Sequence, residues 1–149
     1  MIYDMHCHST NSDGRQSVGE MCLSAMERGV TGFAVTDHAD MNFYESRDTY
    51  NRICASLNDI KRAQETYGDR IKLLRGVELG EYLYAPENAE KILGLNDFDV
   101  ILGSVHLVPK ARFDRPYNRI PFSEDGTDEE FFFECENFVY LHKNSHFGS

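Results

Sequence analysis

Positive charge is what this sequence is short of: 15 Lys and Arg stand against 25 Asp and Glu, a formal net charge of −10. Phosphate contacts to nucleic acid come mostly from Lys and Arg, so neither a nucleic-acid partner nor an anionic membrane is expected. No run approaches the ~20 apolar residues of a transmembrane helix. Met-Ile-Tyr-Asp runs straight into polar residues, with no basic-then-apolar leader. Cys-x-x-Cys pairs are missing too. Cys7, Cys22, Cys54 and Cys135 have irregular spacing and read as free thiols in a reducing compartment. A cytoplasmic location is the resulting expectation. Sequence repeats, low-complexity linkers and composition shifts that would mark a domain boundary are also lacking.

What is there suits one folded domain: 149 residues, 41% hydrophobic and 27% charged. The excess of carboxylates keeps a protein dispersed, or holds cations, and the balance alone does not choose. Short apolar runs alternate with longer helical ones. Strands are expected at Ile2–His6, Gly32–Thr36, Ile71–Glu78 and Phe98–Val105. The last is almost continuously apolar, as when both faces are covered. Helices are expected at Ser17–Arg28, Arg47–Tyr67 and Pro86–Leu95. Ser17-Val18-Gly19-Glu20 matches a capping box, and Gly29 and Gly68 suit helix ends. Residues 39–46 and 107–126 read as loops, and Thr127 could cap a further helix. Strand then helix, repeated, implies parallel strands joined by right-handed crossovers.

The chemistry-bearing residues share one position, the C-terminal end of a strand. His6, His8 and Asp13 follow the first strand, and Asp37 and His38 the second. Glu78 ends the third and His106 the fourth. In parallel α/β folds this edge is where active sites are built. His6-Cys7-His8 on an extended chain projects both imidazoles to one side, close enough to share a cation, and Cys7 to the other. Mixed histidine and carboxylate ligands suit Zn, Mn or Fe. Taken singly, each residue has an ordinary reading: Asp13-Gly14 is a turn, Asp37 a cap, Glu78 an exposed strand end. The joint case rests on coincidence, since four of the six histidines fall at one predicted edge. His142 and His146 read as solvated, and Asp125, Asp128, Glu129 and Glu130 as a helix N-terminus.

Four motifs then stand in order: Asp4-Met5-His6-Cys7-His8-Ser9 with Ser12-Asp13-Gly14, Thr36-Asp37-His38, Gly76-Val77-Glu78, and Gly103-Ser104-Val105-His106. In order and spacing, from residue 1 to about 127, they resemble the PHP (polymerase and histidinol phosphatase) family of metal-dependent phosphoesterases. Leu74-Arg75-Gly76-Val77-Glu78-Leu79-Gly80-Glu81 most resembles its histidinol-phosphatase branch. The resemblance implies a distorted (β/α)7 TIM-like barrel of parallel strands with outer helices, holding two or three divalent ions (Zn, Mn or Fe). By that analogy His6, His8 and Glu78 hold one ion. Glu78 bridges to a second held by His106, and Asp13 and His38 serve a third. Glu78 and Asp37 take the catalytic roles, Asp37 from behind the ligands. The implied reaction is hydrolysis of a small phosphomonoester, L-histidinol phosphate, in histidine biosynthesis. Rival expectations are a PHP phosphoesterase for nucleotides or phosphotyrosine, and an inactive fragment. The family's further histidine and late Asp-x-His motif are not recognisable here. Residues 1–130 are therefore expected to form a partial PHP domain without its C-terminal units, and 131–149 an atypical tail. On its own, such a chain is expected to show at most trace turnover and to self-associate through an unclosed sheet.

Overall fold

The structure is a computed structural model and describes residues 1–95 and 97–106. Four strand lines form one parallel sheet. Strand β1 (Tyr3–Cys7) pairs with β2 (Gly32–Val35), and β2 with the first half of β4 (Lys72–Gly80). Strand β3 (His38–Asp40) continues the line of β2 and pairs with the second half of β4, in register His38↔Glu78, Ala39↔Leu79 and Asp40↔Gly80. Strand β5 (Val100–Ser104) lies on the other side of β4. The sheet curls into a half-barrel, with the strands in chain order as a TIM-like barrel requires.

Three helices cover one face. Helix α1 (Val18–Glu27) begins with the expected capping box, both halves formed between Ser17 and Glu20, and Gly29 follows it at φ +70°. Helix α2 (Thr49–Tyr67) has no glycine or proline inside it and buries Ile53, Leu57, Ile60 and Ala63. Helix α3 (Pro86–Leu93) starts on its proline. Alternation along the strands decides what meets these helices. Phe33, Val35, Ile71 and Leu73 pack with Val18, Cys22, Ile60 and Ala63 in one core cluster, with Cys7 against it. Val77, Leu79 and Ala39 pack with Ile53, Leu57, Ala89 and Ile92 in a second. The even-numbered strand residues face the concave side, where the polar residues collect. No helix among the described residues is long and apolar enough to cross a membrane.

Two expectations need correction. Residues 39–46 are not simply a loop: Ala39 and Asp40 belong to β3, and Met41–Phe43 form a 3-10 turn. Pairing with β4 imposes the extended conformation, and that partner is 40 residues away in sequence. Among the described residues, strand β5 is not covered on both faces. Its residues alternate between half-buried and exposed, and Ile101 is 52% exposed. Among the described residues β5 pairs with β4 alone. The expected loop 107–126, the helix at Thr127, the boundary near 130, Cys135, His142 and His146 lie outside the described residues.

Candidate metal centre

Glu78 is the hub. It points from β4 into the concave face and is only 3% exposed. Four imidazoles surround it. His6 Nε2 and His8 Nε2 lie 3.3 and 3.2 Å from its Oε2. His38 Nδ1 lies 2.9 Å from the same oxygen, and His106 Nε2 lies 3.1 Å from Oε1. The rings form a chain, with centroids 5.0 Å apart for His6–His8, 4.2 Å for His8–His38 and 4.8 Å for His38–His106. Asp13 flanks it, with Oδ1 2.8 Å from His8 Nδ1 and Oδ2 3.6 Å from His38 Nε2. All six residues singled out as ligands thus converge on one site.

The local fold explains the convergence. His6 and His8 are two apart on the extended end of β1, while Cys7 turns toward the helices. The chain then turns sharply. Ser12 N and Gly14 N both donate to Ser9 O, and a Cβ on Gly14 would overlap the main-chain carbonyl of His8. Arg52 of α2 ties this turn down, donating to the carbonyls of Asn11 and Ser12, at 2.7 Å each. His38 leaves β2 at the point where β3 begins, and His106 follows β5 by two residues.

Asp37 stands behind the ligands rather than among them. It is fully buried behind the cluster. Its carboxylate accepts from Ser9 N, Ser9 Oγ and Ser12 Oγ, at 2.7 Å each, and from Ser56 Oγ at 2.5 Å. Asp40, which the motif reading missed, stands at the site instead. Its Oδ1 is 3.0 Å from His106 Nδ1 and 3.7 Å from His38 Nδ1. The signal was present: Asp40 is two residues beyond His38 and, on an extended chain, shares its face. Glu81 was missed as well. Fully buried, in the left-handed region at φ +50°, it accepts a hydrogen bond from His106 N through Oε1.

The electrostatics are those of a buried carboxylate ringed by imidazoles. Burial would push the Glu78 carboxyl up, but the imidazoles, His106 foremost, hold it far below the usual carboxylate range. His8 is raised to about 9, first by the facing Glu78 carboxylate and also by Asp13. His106 is raised to about 10, first by Asp40 and then by Glu78. Burial pushes Asp13 up, but His8 and His38 outweigh it and hold it below its ordinary value. Glu78 Oε2 and His38 Nδ1 are buried and satisfied by no hydrogen bond, although only 2.9 Å apart. The distance is met and the direction is not, as for two donors aimed at a common third atom. Three donor groups have ligand atoms within 4.8 Å of one another: His6 with His8 and Glu78; His8 with Asp13 and His38; His38 with Asp40 and His106. The orphaned atoms and this imidazole–carboxylate chemistry fit transition-type divalent ions. Beside them a cavity of about 450 Å³ is lined by Ser12, Asp13, His38, Asp40, Arg47 and His106, among others.

The model of the PHP domain family matches residues 4–141, and the chain belongs to that family. A probable histidinol-phosphatase of Deinococcus radiodurans is 28% identical over 100 residues, covering 65% of this chain and 38% of that protein. One from Clostridium acetobutylicum is 27% identical over 108 residues, covering 72% of this chain and 40% of that one. The chain therefore spans about two fifths of the length of these relatives. Among solved structures, the histidinol phosphate phosphatase of Lactococcus lactis, complexed with zinc, L-histidinol and phosphate, superposes with a TM-score of 0.70. At 21% identity, with 96% of this chain and 55% of that one covered, it establishes the fold.

Proposed function

We propose that this chain supplies most of the metal-holding edge of a phosphomonoester hydrolase whose substrate is L-histidinol phosphate. The observation that carries the reading is the ring of four imidazoles around the buried Glu78 carboxylate. His6, His8 and Glu78 would hold one ion, and His106 with the other Glu78 oxygen a second. Asp13 and His38 would serve a third. Bound divalent ions would acidify a water molecule and neutralise charge developing on the phosphoryl oxygens. The protein's own part is positional. Glu78 holds adjacent ligand sets together, and Asp13 orients His8. Asp37 acts by fixing the turn that carries Asp13. The cavity beside the cluster is of a size for a small phosphorylated molecule. The named relatives and the zinc, histidinol and phosphate of the Lactococcus protein support this substrate class. A reducing cytoplasm suits the free Cys7, Cys22 and Cys54. We take residues 1–130 as part of the PHP domain.

Two measurements test the reading. The metal-free chain is titrated with Zn and Mn and its bound metal counted. Two to three ions are expected, and none above background overturns the proposal. Phosphate release is then followed from L-histidinol phosphate, p-nitrophenyl phosphate, a nucleoside monophosphate and a phosphotyrosine peptide, using this chain and the complete protein that contains it. Preference for the nucleotide or the peptide would refute the substrate assignment and leave the metal centre standing.

A further inference from the structure

Strand β4 separates β3 from β5, so residues at the ends of those two strands can meet only across it. Asp40 is in register with Gly80, and Gly80 with Ser104. His106 follows Ser104 by two residues. The side chains of Asp40 and His106 meet over Gly80, Oδ1 to Nδ1, at 3.0 Å. A Cβ on Gly80 would overlap Asp40 Oδ1 and come within 3.2 Å of His106 Nδ1. The glycine leaves the space in which this contact forms.

The two nitrogens of His106 therefore face different carboxylates. Nδ1 faces Asp40, and Nε2 faces Glu78 at 3.1 Å, with Ser104 Oγ also 2.8 Å away. The carboxylates are not equivalent. Glu78 is shared by three further imidazoles. Asp40 is 7% exposed, and its second oxygen is engaged by Arg47 Nη1 at 3.3 Å. The Arg47 guanidinium also stacks on Phe43, 4.0 Å from the ring centroid. A carboxylate already facing a guanidinium is a weakened cation ligand, and a cation drawn to it would be repelled by Arg47. It remains a good acceptor for an imidazole N–H.

We infer that Asp40 is a positioning residue rather than a ligand: it accepts the Nδ1 hydrogen of His106, fixes that ring's tautomer and turns Nε2 toward the cation side of Glu78. Arg47 braces Asp40 from behind, and Gly80 keeps the passage open. Histidine ligands are commonly oriented in this way by a carboxylate on the far nitrogen. The inference rests on the metal-dependent reading above, and it reassigns one member of the donor group formed by His38, Asp40 and His106.

Zinc affinity of the full chain, measured by calorimetry from the metal-free state, tests it without any need for turnover. Asp40→Ala is expected to weaken one ion by about 10–100-fold, as removal of such a partner does, and to leave the others unchanged. Asp40→Asn keeps the shape and one acceptor oxygen, and should lose less at the same ion. Gly80→Ala should weaken that ion too, by wedging the pair apart with the polar groups intact. The deciding comparison is a double-mutant cycle. In a His106→Ala background, Asp40→Ala should cost nothing further, because Asp40 acts through His106. A further loss in that background shows Asp40 to be a ligand and overturns the inference, as does wild-type affinity in Asp40→Asn and Gly80→Ala together. Should Asp40→Ala fail to fold, those two variants decide alone. A wild-type chain that binds no cation sinks the metal-dependent reading itself, and this inference with it.

Discussion

Replacing Asp37 by alanine removes the acceptor for four hydrogen bonds, three of them from Ser9 and Ser56, which are 0% and 1% exposed. Ser12 is partly buried and can turn to solvent. The Ser9 N–H and Oγ and the Ser56 Oγ would be left facing a small void. A hydrogen bond to a charged group contributes about 1.5–3 kcal/mol. Counting the three buried bonds at the lower end gives a destabilisation of about 4–5 kcal/mol. That is a large part of the 5–15 kcal/mol that holds a typical domain together. At a urea slope of about 2 kcal/mol per M, the midpoint should fall by about 2 M. Asp37→Asn keeps one acceptor oxygen, and the serine hydroxyls can rotate to accept from its amide. Its cost should be about 1–2 kcal/mol. Urea denaturation followed by circular dichroism, with a chelator present so that cations do not contribute, measures both. An alanine variant within about 1 kcal/mol of wild type would refute the assignment of Asp37 to the frame, given the usual scatter of surface substitutions. So would an asparagine variant of full stability and intact metal content that abolishes turnover in the complete protein, which would give Asp37 a direct chemical role.

Glu78→Gln should leave the fold intact and lower the number of bound ions, because an amide carries no charge to balance adjacent cations; metal analysis after dialysis reads this, and unchanged stoichiometry contradicts the bridging role. In the metal-free chain the folded pKa values of His8 and His106 are raised to about 9 and about 10, so their contribution to stability is complete below the unfolded value of about 6.5 and is lost as pH rises toward 9–10. Metal binding requires neutral imidazoles, so zinc binding at pH 7 should expel protons from these two residues and strengthen as pH rises; calorimetry in buffers of different ionisation enthalpy counts the protons, and a heat independent of buffer contradicts it. Gly14→Ala should cost about 1–3 kcal/mol, as overpacking does, and weaken metal binding through Asp13, because the new Cβ meets the His8 carbonyl; a thermal melt and a zinc titration check both effects.

The sequence made the site legible where chemistry and local pattern coincide. His6 and His8 could be placed together because an extended chain has a period of two, and α1 because its capping box lies within four residues. What escaped depends on partners far along the chain. Residues 39 and 40 look like a loop until β4 pairs with them, and Asp40 was lost with that loop. The contacts that fix Asp37 are 19 to 28 residues away, and serines at such distances give no periodic signal. Strand β5 reads as doubly covered from its apolar run, yet coverage is a property of neighbours, and Ile101 is half exposed.

The segment from Thr36 to Asp40 shows why fold and site stay separable. Here β2 gives way to β3, and successive side chains turn to opposite sides. Asp37 goes back toward the serines, and His38 and Asp40 go forward to the cluster. Ala39 goes to the helix side, where it joins Ile53, Val77 and Ile92 in the core. Both hydrophobic clusters lie on that side, and none of the seven residues of the candidate metal centre belongs to either. Cation binding is therefore not what the sheet and helices are built on. Without cations, four imidazoles face one buried carboxylate, and the carboxylates of the cluster raise His8 and His106 to about 9 and about 10. Metal loss should relax the concave edge locally. The burial on the convex side that holds the half-barrel remains in place.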